Sequence, residues 1–233
     1  MSNKVKYRLK FEKHGSVRFI GHLDLMSLFN MAIKRAKLPI AYSEGFNPHQ
    51  LLSFALPLSL GYHSDAEYLD MVLKESRDCK EIADLLNTNV PDGLKIIAAG
   101  KMPENSKNSA SIVASCRYKV IIPEEFRVPE SAARAFIART EIIISKKTKK
   151  NLADVDILPD IFEFEPKVSG GMVEEIELLI SAGPLRSIRA DSVMKALFAF
   201  CGLDYPEHGP TFVRTEMYSD TLGKEPLLRR EMR

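Results

Sequence analysis

Between Gly15 and Glu67 the chain sets His22, His49 and His63 among other polar residues, each close to apolar neighbours. A site is a few convergent polar groups on an apolar wall, and this stretch supplies both parts. The candidate pocket is Arg18, His22, Asp24, Arg35, Tyr42, Ser43, Glu44, Asn47, His49 and Glu67. Imidazole and carboxylate together suit zinc or iron, so His22, Asp24 and His49 are the candidate metal ligands. Neither H-E-x-x-H nor C-x-x-C spacing supports them. The plainer reading has His22 capping a helix and His49 hydrogen-bonding within its loop. A phosphate or carboxylate held at the helix start by backbone N–H groups, with Arg18 or His22 adding a cation, is a third use of the same residues. No nucleophile–base motif stands out, so the catalytic residues are unknown. Acid–base work by His22 or Glu44 competes with a buried Arg35–Glu67 salt bridge, which we favour.

A second group is basic. Lys146, Lys147, Lys149 and Lys150 form the one dense lysine run, and Arg186 and Arg189 lie three apart on or just before the last predicted helix, with Lys195 further along. Such cations neutralise phosphates or decorate a solvated face. They are the candidate nucleic-acid contacts. Phe11, Phe19, Phe46, Phe54 and Tyr68 offer faces for base stacking, although their periodicity assigns most of them to the core.

The elements that must hold these residues follow from periodicity. Lys4–Glu12 alternates and reads as a half-buried strand with Val5, Tyr7, Leu9 and Phe11 inward. From His22 to Lys37 apolar residues recur at helical spacing, with Asp24 in the first turn, Lys34, Arg35 and Lys37 in the last, and Pro39 as the stop. The stretch 43–49 is a loop, and Leu51–Leu60 is an apolar extended run. A strand over Glu67–Glu75, a helix over Cys79–Asn87 and a strand over Leu94–Ala99 complete a β-α-β-β-α-β order, the ferredoxin-like unit. Similar alternation follows from Cys116 to Tyr218 with one extra strand, and with Gly170-Gly171 as a hairpin turn. The expected fold is α+β: two tandem ferredoxin-like halves with antiparallel sheets and a cleft between them. Its expected parts are a site-bearing domain (1–100), a polar linker or exposed loop (101–111), a second domain (112–219) and a charged tail (220–233).

Composition narrows the classes. The 233 residues are 45% hydrophobic and 27% charged, as in ordinary globular proteins. A net charge of +2 means that only a local patch could attract nucleic acid. No apolar run reaches the roughly 20 residues of a membrane helix, and the N-terminus lacks a signal-peptide core. Three widely spaced cysteines, Cys79, Cys116 and Cys201, fit reduced thiols in a cytoplasm.

The pattern G-x-x-R-F-x-G-H-L-D-L, followed by K-R-A-x-L-P-x-A-Y-S-E-G-F-N-P-H and A-E-Y-L-D, resembles a family of uncharacterised proteins of unknown function. Its members are encoded beside, or fused behind, radical S-adenosylmethionine (radical SAM) proteins. The resemblance is dense from Lys6 to Leu73 and thinner to about Tyr218, and Gly21 stands where the family usually carries serine. It implies a radical SAM protein as partner. The tight cysteine motif of an iron–sulfur centre is absent here, so the cluster belongs to the partner and no cofactor is expected in this chain. The function expected is an accessory or substrate-binding module, with RNA as a further partner. The alternative is an enzyme using a His22, Asp24 and His49 metal or acid–base site.

Overall fold

The computed structural model describes residues 4–147, 152–184, 186–206 and 209–228. The first half holds β1 (Val5–Lys13), a 3-10 turn (Gly15–Phe19), α1 (His22–Arg35), β2 (Leu52–Phe54), β3 (His63–Leu73), α2 (Cys79–Asn87) and β4 (Leu94–Lys101). Leu25, Phe29, Ala32 and Ile33 form the buried stripe of α1. They pack with Tyr7, Leu9 and Phe11 of β1, with Leu69, Met71 and Leu73 of β3, and with Ile82 and Leu86 of α2. The Asp78 carboxylate accepts from the Glu81 N–H at 3.0 Å and so starts α2. After α1 the chain turns at Lys37, whose φ is +53°, and Pro39 cannot extend the helix.

The alternation in β1 predicted polar residues facing water. Instead Arg8 is 1% and Lys10 9% exposed. Arg8 donates to Asp70 at 2.6 and 3.1 Å and to the carbonyls of Leu227 and Lys107. Lys10 reaches Glu216 at 2.6 Å. β1 is an interior strand covered on both faces, and a buried charge persists only when it is paired.

The second half holds α3 (Ser109–Ile112), β5 (Ser115–Ile121), α4 (Glu130–Ile137), β6 (Ile143–Lys147), β7 (Leu152–Asp156), β8 (Ile161–Ser169), β9 (Met172–Ser181), α5 (Ala190–Phe200) and β10 (Thr211–Tyr218). Phe136 of α4 and Val193, Met194, Leu197 and Phe198 of α5 pack with Val120, Ile176 and Leu178 of the sheet. Gly170 and Gly171 take φ of +59° and +79° between β8 and β9, the geometry of a two-residue hairpin with both φ positive. Among the described residues β6 and β7 form a separate two-stranded sheet. Within the polar stretch 101–111, Ser109 is fully buried and its N–H donates to Asp70 at 2.7 Å.

The fold is mixed α+β with a mostly antiparallel sheet. Eight strands lie in one sheet, β4-β1-β3-β10-β5-β9-β8, with β2 also on β3. Among the described residues the two halves share this one sheet in place of the expected two sheets with a cleft between them, and the reason is local. Leu51–Leu60 was expected to be extended throughout, but only Leu52–Phe54 forms a strand, and it covers β3 at Leu69–Met71. The same edge of β3 stays open at its start, and β10 takes it in parallel through His63↔Val213 and Ser64↔Arg214. An open strand edge is a template for pairing.

Candidate nucleic-acid interface

One depression lies where β3 and β10 begin, and a second, formed within the second half, adjoins it. A cavity of about 490 Å³ is lined by Arg18, Phe19, Leu60, Gly61, Tyr62 and, from the second half, by Arg189, Asp191, Tyr205, Gly209, Pro210, Thr211 and Phe212. Beside it a groove of about 830 Å³ runs under the β6–β7 hairpin and is lined among others by Ser145, Asp160, Arg186, Arg189, Asp191 and Lys195. Arg189 and Asp191 line both.

The first wall is the 3-10 turn after β1. Lys13, 2% exposed, donates to the Ile20 carbonyl at 2.8 Å and ties the turn to the strand end. Burial pushes its ammonium below the ordinary lysine value, opposed by Glu67 and aided by Arg214. The His14 N–H donates to the Gly93 carbonyl, and the Gly61 N–H to the Arg18 carbonyl. Gly93 has a φ of +92°, and a Cβ there would meet the His14 carbonyl oxygen at 2.5 Å. On this support the Arg18 guanidinium lies 4.6 Å from the Phe19 ring centroid, and its Nη1 is 2.8 Å from His63 Nε2. Arginine only donates, so His63 accepts there and is neutral, with its proton on Nδ1. Burial first, then the charges of Arg18 and His14, hold His63 below its ordinary value, while Asp65 opposes them. His14 stacks on His63 at 5.4 Å and pairs with Asp65 at 2.9 Å.

The opposite wall is the entry to α5. The helix starts at Ala190 with Arg189 as its N-cap, so Arg186 and Arg189 sit in the extended lead-in and share no helix face. Arg189 donates to both Asp191 oxygens, at 2.8 and 3.1 Å, and Lys195 reaches Asp191 at 3.2 Å. Arg186 pairs with Asp160 at 2.7 Å. The Asp191 N–H donates to Tyr62 Oη at 3.1 Å. Tyr62 in turn stacks flat on Phe212, with centroids 4.5 Å apart. These two contacts join the halves at the cavity floor. Behind it Arg214, 1% exposed, binds Glu67 through 2.6, 2.6 and 2.9 Å contacts and donates to the Leu56 carbonyl.

The residues singled out in sequence scatter. Arg18 enters the cavity. His22 packs edge-on against Phe54 at 5.4 Å, and Asp24 is exposed. Arg35 is exposed and lines a different depression with Leu28, Met31 and the 88–91 loop. The favoured Arg35–Glu67 bridge is therefore replaced by Arg214–Glu67: β10 brings Arg214 from far along the chain to the Glu67 edge of β3. Tyr42 bridges Gln50, and the Ser43 hydroxyl bonds both Nδ1 and the backbone N–H of His49, closing the loop on which Glu44 and Asn47 are exposed. His49 thus does what the plainer reading expected. His22 does not cap α1, whose N-cap is Gly21. Among the described residues no three His, Cys, Asp or Glu side chains gather to hold a metal, so His22, Asp24 and His49 form no metal trio. Of the basic residues, Arg186 and Arg189 line the groove. Lys146 and Lys147 lie on β6, and Lys149 and Lys150 fall outside the described residues. Tyr62, Asp191, Tyr205 and Phe212 went unselected, although an Asp191–Lys195 pair at i,i+4 was visible in the sequence.

Residues 6–190 match the family described as "Uncharacterized protein conserved in bacteria (DUF2344)". The chain belongs to this family. No curated protein matches it. Among solved structures it is similar to a chain in the crystal structure of a Cbf5-Nop10-Gar1 complex, at 13% identity and a TM-score of 0.51. The likeness covers 91% of this chain and 48% of that one, so this chain spans about half the length of the solved chain, and at this identity the likeness speaks for the fold alone. No helix among the described residues is long and apolar enough to cross a membrane.

Proposed function

We propose that this DUF2344 chain is a substrate-binding module that holds single-stranded RNA along the seam groove and presents it to a radical SAM protein in the cytoplasm. The observation that carries the reading is the line of cations from Arg18 through Arg189 and Lys195 to Arg186 along two depressions that share lining residues. Asp160 and Asp191 are the acidic residues lining them, which leaves a local excess of positive charge on a nearly neutral chain. Arginine forks and aromatic faces together are the equipment of sequence-tolerant single-strand binding. The radical SAM partner rests on the sequence resemblance, and the three thiols lie on separate elements, on α2, on β5 and just after α5.

We also read each half as ferredoxin-like. The orders β4-β1-β3-β2 and β10-β5-β9-β8 support this, since each places the half's first strand between its fourth and third. The test of the function is affinity for tRNA and for a random single-stranded RNA at two salt concentrations. Binding that falls steeply with salt and differs little between the two RNAs is expected. No binding at low salt would leave a protein as the ligand of the groove.

A further inference from the structure

Among the described residues Arg18 is a cation without an acidic partner. Its Nε is buried and makes no hydrogen bond, and Nη1 meets a neutral imidazole. Its guanidinium rests on Phe19, which stands 59% exposed at the cavity mouth beside Leu60 at 64%. An unpaired guanidinium beside a bare aromatic face is costly for a surface with no ligand. Across the cavity Arg189 donates through Nε and Nη2 to Asp191, and Tyr62 also acts on its guanidinium. Tyr205 offers a second ring on that side, with the Lys195 ammonium 5.4 Å from its centroid.

We infer that this cavity holds one nucleotide unstacked from the bound strand, its phosphate between Arg18 and Arg189 and its base against Phe19 and Tyr205. The inference rests on the RNA-binding reading and deepens it by naming the unit that the site takes. A volume of about 490 Å³ is within the usual range for small-ligand pockets. Two arginines against Asp191 leave one net positive charge in the cavity, with Lys195 close by, which suits a phosphate of one to two negative charges. A planar base accounts for the aromatic rings, which a bare phosphate would not need. The stacked Tyr62 and Phe212 make a rigid floor that fixes the distance between the two arginine walls.

The test is calorimetric titration of the full chain with uridine 5′-monophosphate, adenosine 5′-monophosphate, uridine and ribose 5-phosphate. Both monophosphates should bind at one site, about 10-fold or more tighter than uridine or ribose 5-phosphate, because each of these lacks one of the two recognised groups. Arg18→Ala should weaken uridine monophosphate about 10-fold or more, and Phe19→Ala about 5-fold or more, the low end of the stacking range. Lys80→Ala, on α2 and outside both depressions, should change it less than about 2-fold. Melting temperatures near wild type show that the variants fold, and Arg18→Lys, which keeps charge but not the fork, should bind between wild type and Arg18→Ala. The inference is overturned if the monophosphates do not bind, or if they bind equally well to folded Arg18→Ala. Monophosphate binding without RNA binding would sink the module and keep the nucleotide site. RNA binding unaffected by Arg18→Ala, with no monophosphate binding, would do the reverse.

Discussion

Replacing Glu67 with alanine should be among the most damaging single changes in the molecule. The carboxylate is 3% exposed and accepts three contacts from Arg214, itself 1% exposed. The variant keeps the guanidinium in the interior with neutral neighbours, the Leu56 carbonyl, Tyr118 and Cys116, in place of the carboxylate. Breaking a buried pair from one side costs about 3–5 kcal/mol, because the remaining charge is uncompensated. For a chain of this length each kcal/mol moves the melting temperature by about 2–4 °C, so a drop of roughly 6–20 °C is expected. The pair joins β3 to β10, so the loss should appear in a single transition. The assay is thermal unfolding by circular dichroism of Glu67→Ala, Arg214→Met and the double variant Glu67→Leu/Arg214→Met. The double variant should lose much less than the sum of the singles, since it removes both charges and refills the volume. If Glu67→Ala falls by less than about 1 kcal/mol, or the singles add, the pair does not hold the seam.

Two further outcomes follow. His63 is held below its ordinary value of 6.5 by burial, Arg18 and His14, against Asp65. The unfolded chain therefore takes up a proton near that value before the folded chain does, so the contribution is intact above it and is lost as pH falls below it. His63→Gln, which keeps an acceptor for Arg18, should lose less stability than wild type between pH 7 and pH 5, and equal losses would contradict the neutral His63–Arg18 bond. Gly93→Ala should cost about 1–3 kcal/mol by chemical denaturation, because its φ of +92° strains an L-residue and its methyl would meet His14. A melting curve unchanged by that substitution would show that the turn carrying Arg18 does not depend on this close approach.

Local periodicity carried much of the fold. The stripe of Leu25, Phe29, Ala32 and Ile33 gave α1 to within two residues at its end, and Gly170-Gly171 marked its hairpin. What periodicity cannot show is who neighbours whom across the sheet. Arg8 and Lys10 read as solvated cations and Arg214 drew no attention, since their partners Asp70, Glu216 and Glu67 lie far along the chain. Leu51–Leu60 looked like a full strand because a run of apolar residues says nothing about which neighbour satisfies its backbone. Its early end at Phe54 opened the β3 edge, merged the halves and built the cavity. Hence the site was half legible: Arg18, Arg186 and Arg189 were marked by type, whereas Tyr62, Phe212 and Asp191 acquire their roles only when β10 joins β3. The polar loop 43–49 drew attention for its composition, which its own closure by Ser43 and His49 explains.

The central claim is that the seam groove binds RNA through phosphate contacts, and the salt dependence of affinity tests it most directly. Contacts from Arg18, Arg186, Arg189 and Lys195, at about 0.7 each for a single strand, give a log–log slope of about −3. In Arg189→Ala/Lys195→Ala, two contacts fewer, the slope should fall to about −1.5 for every RNA sequence, with the fold intact by circular dichroism. A folded variant that retains the wild-type slope would contradict the account.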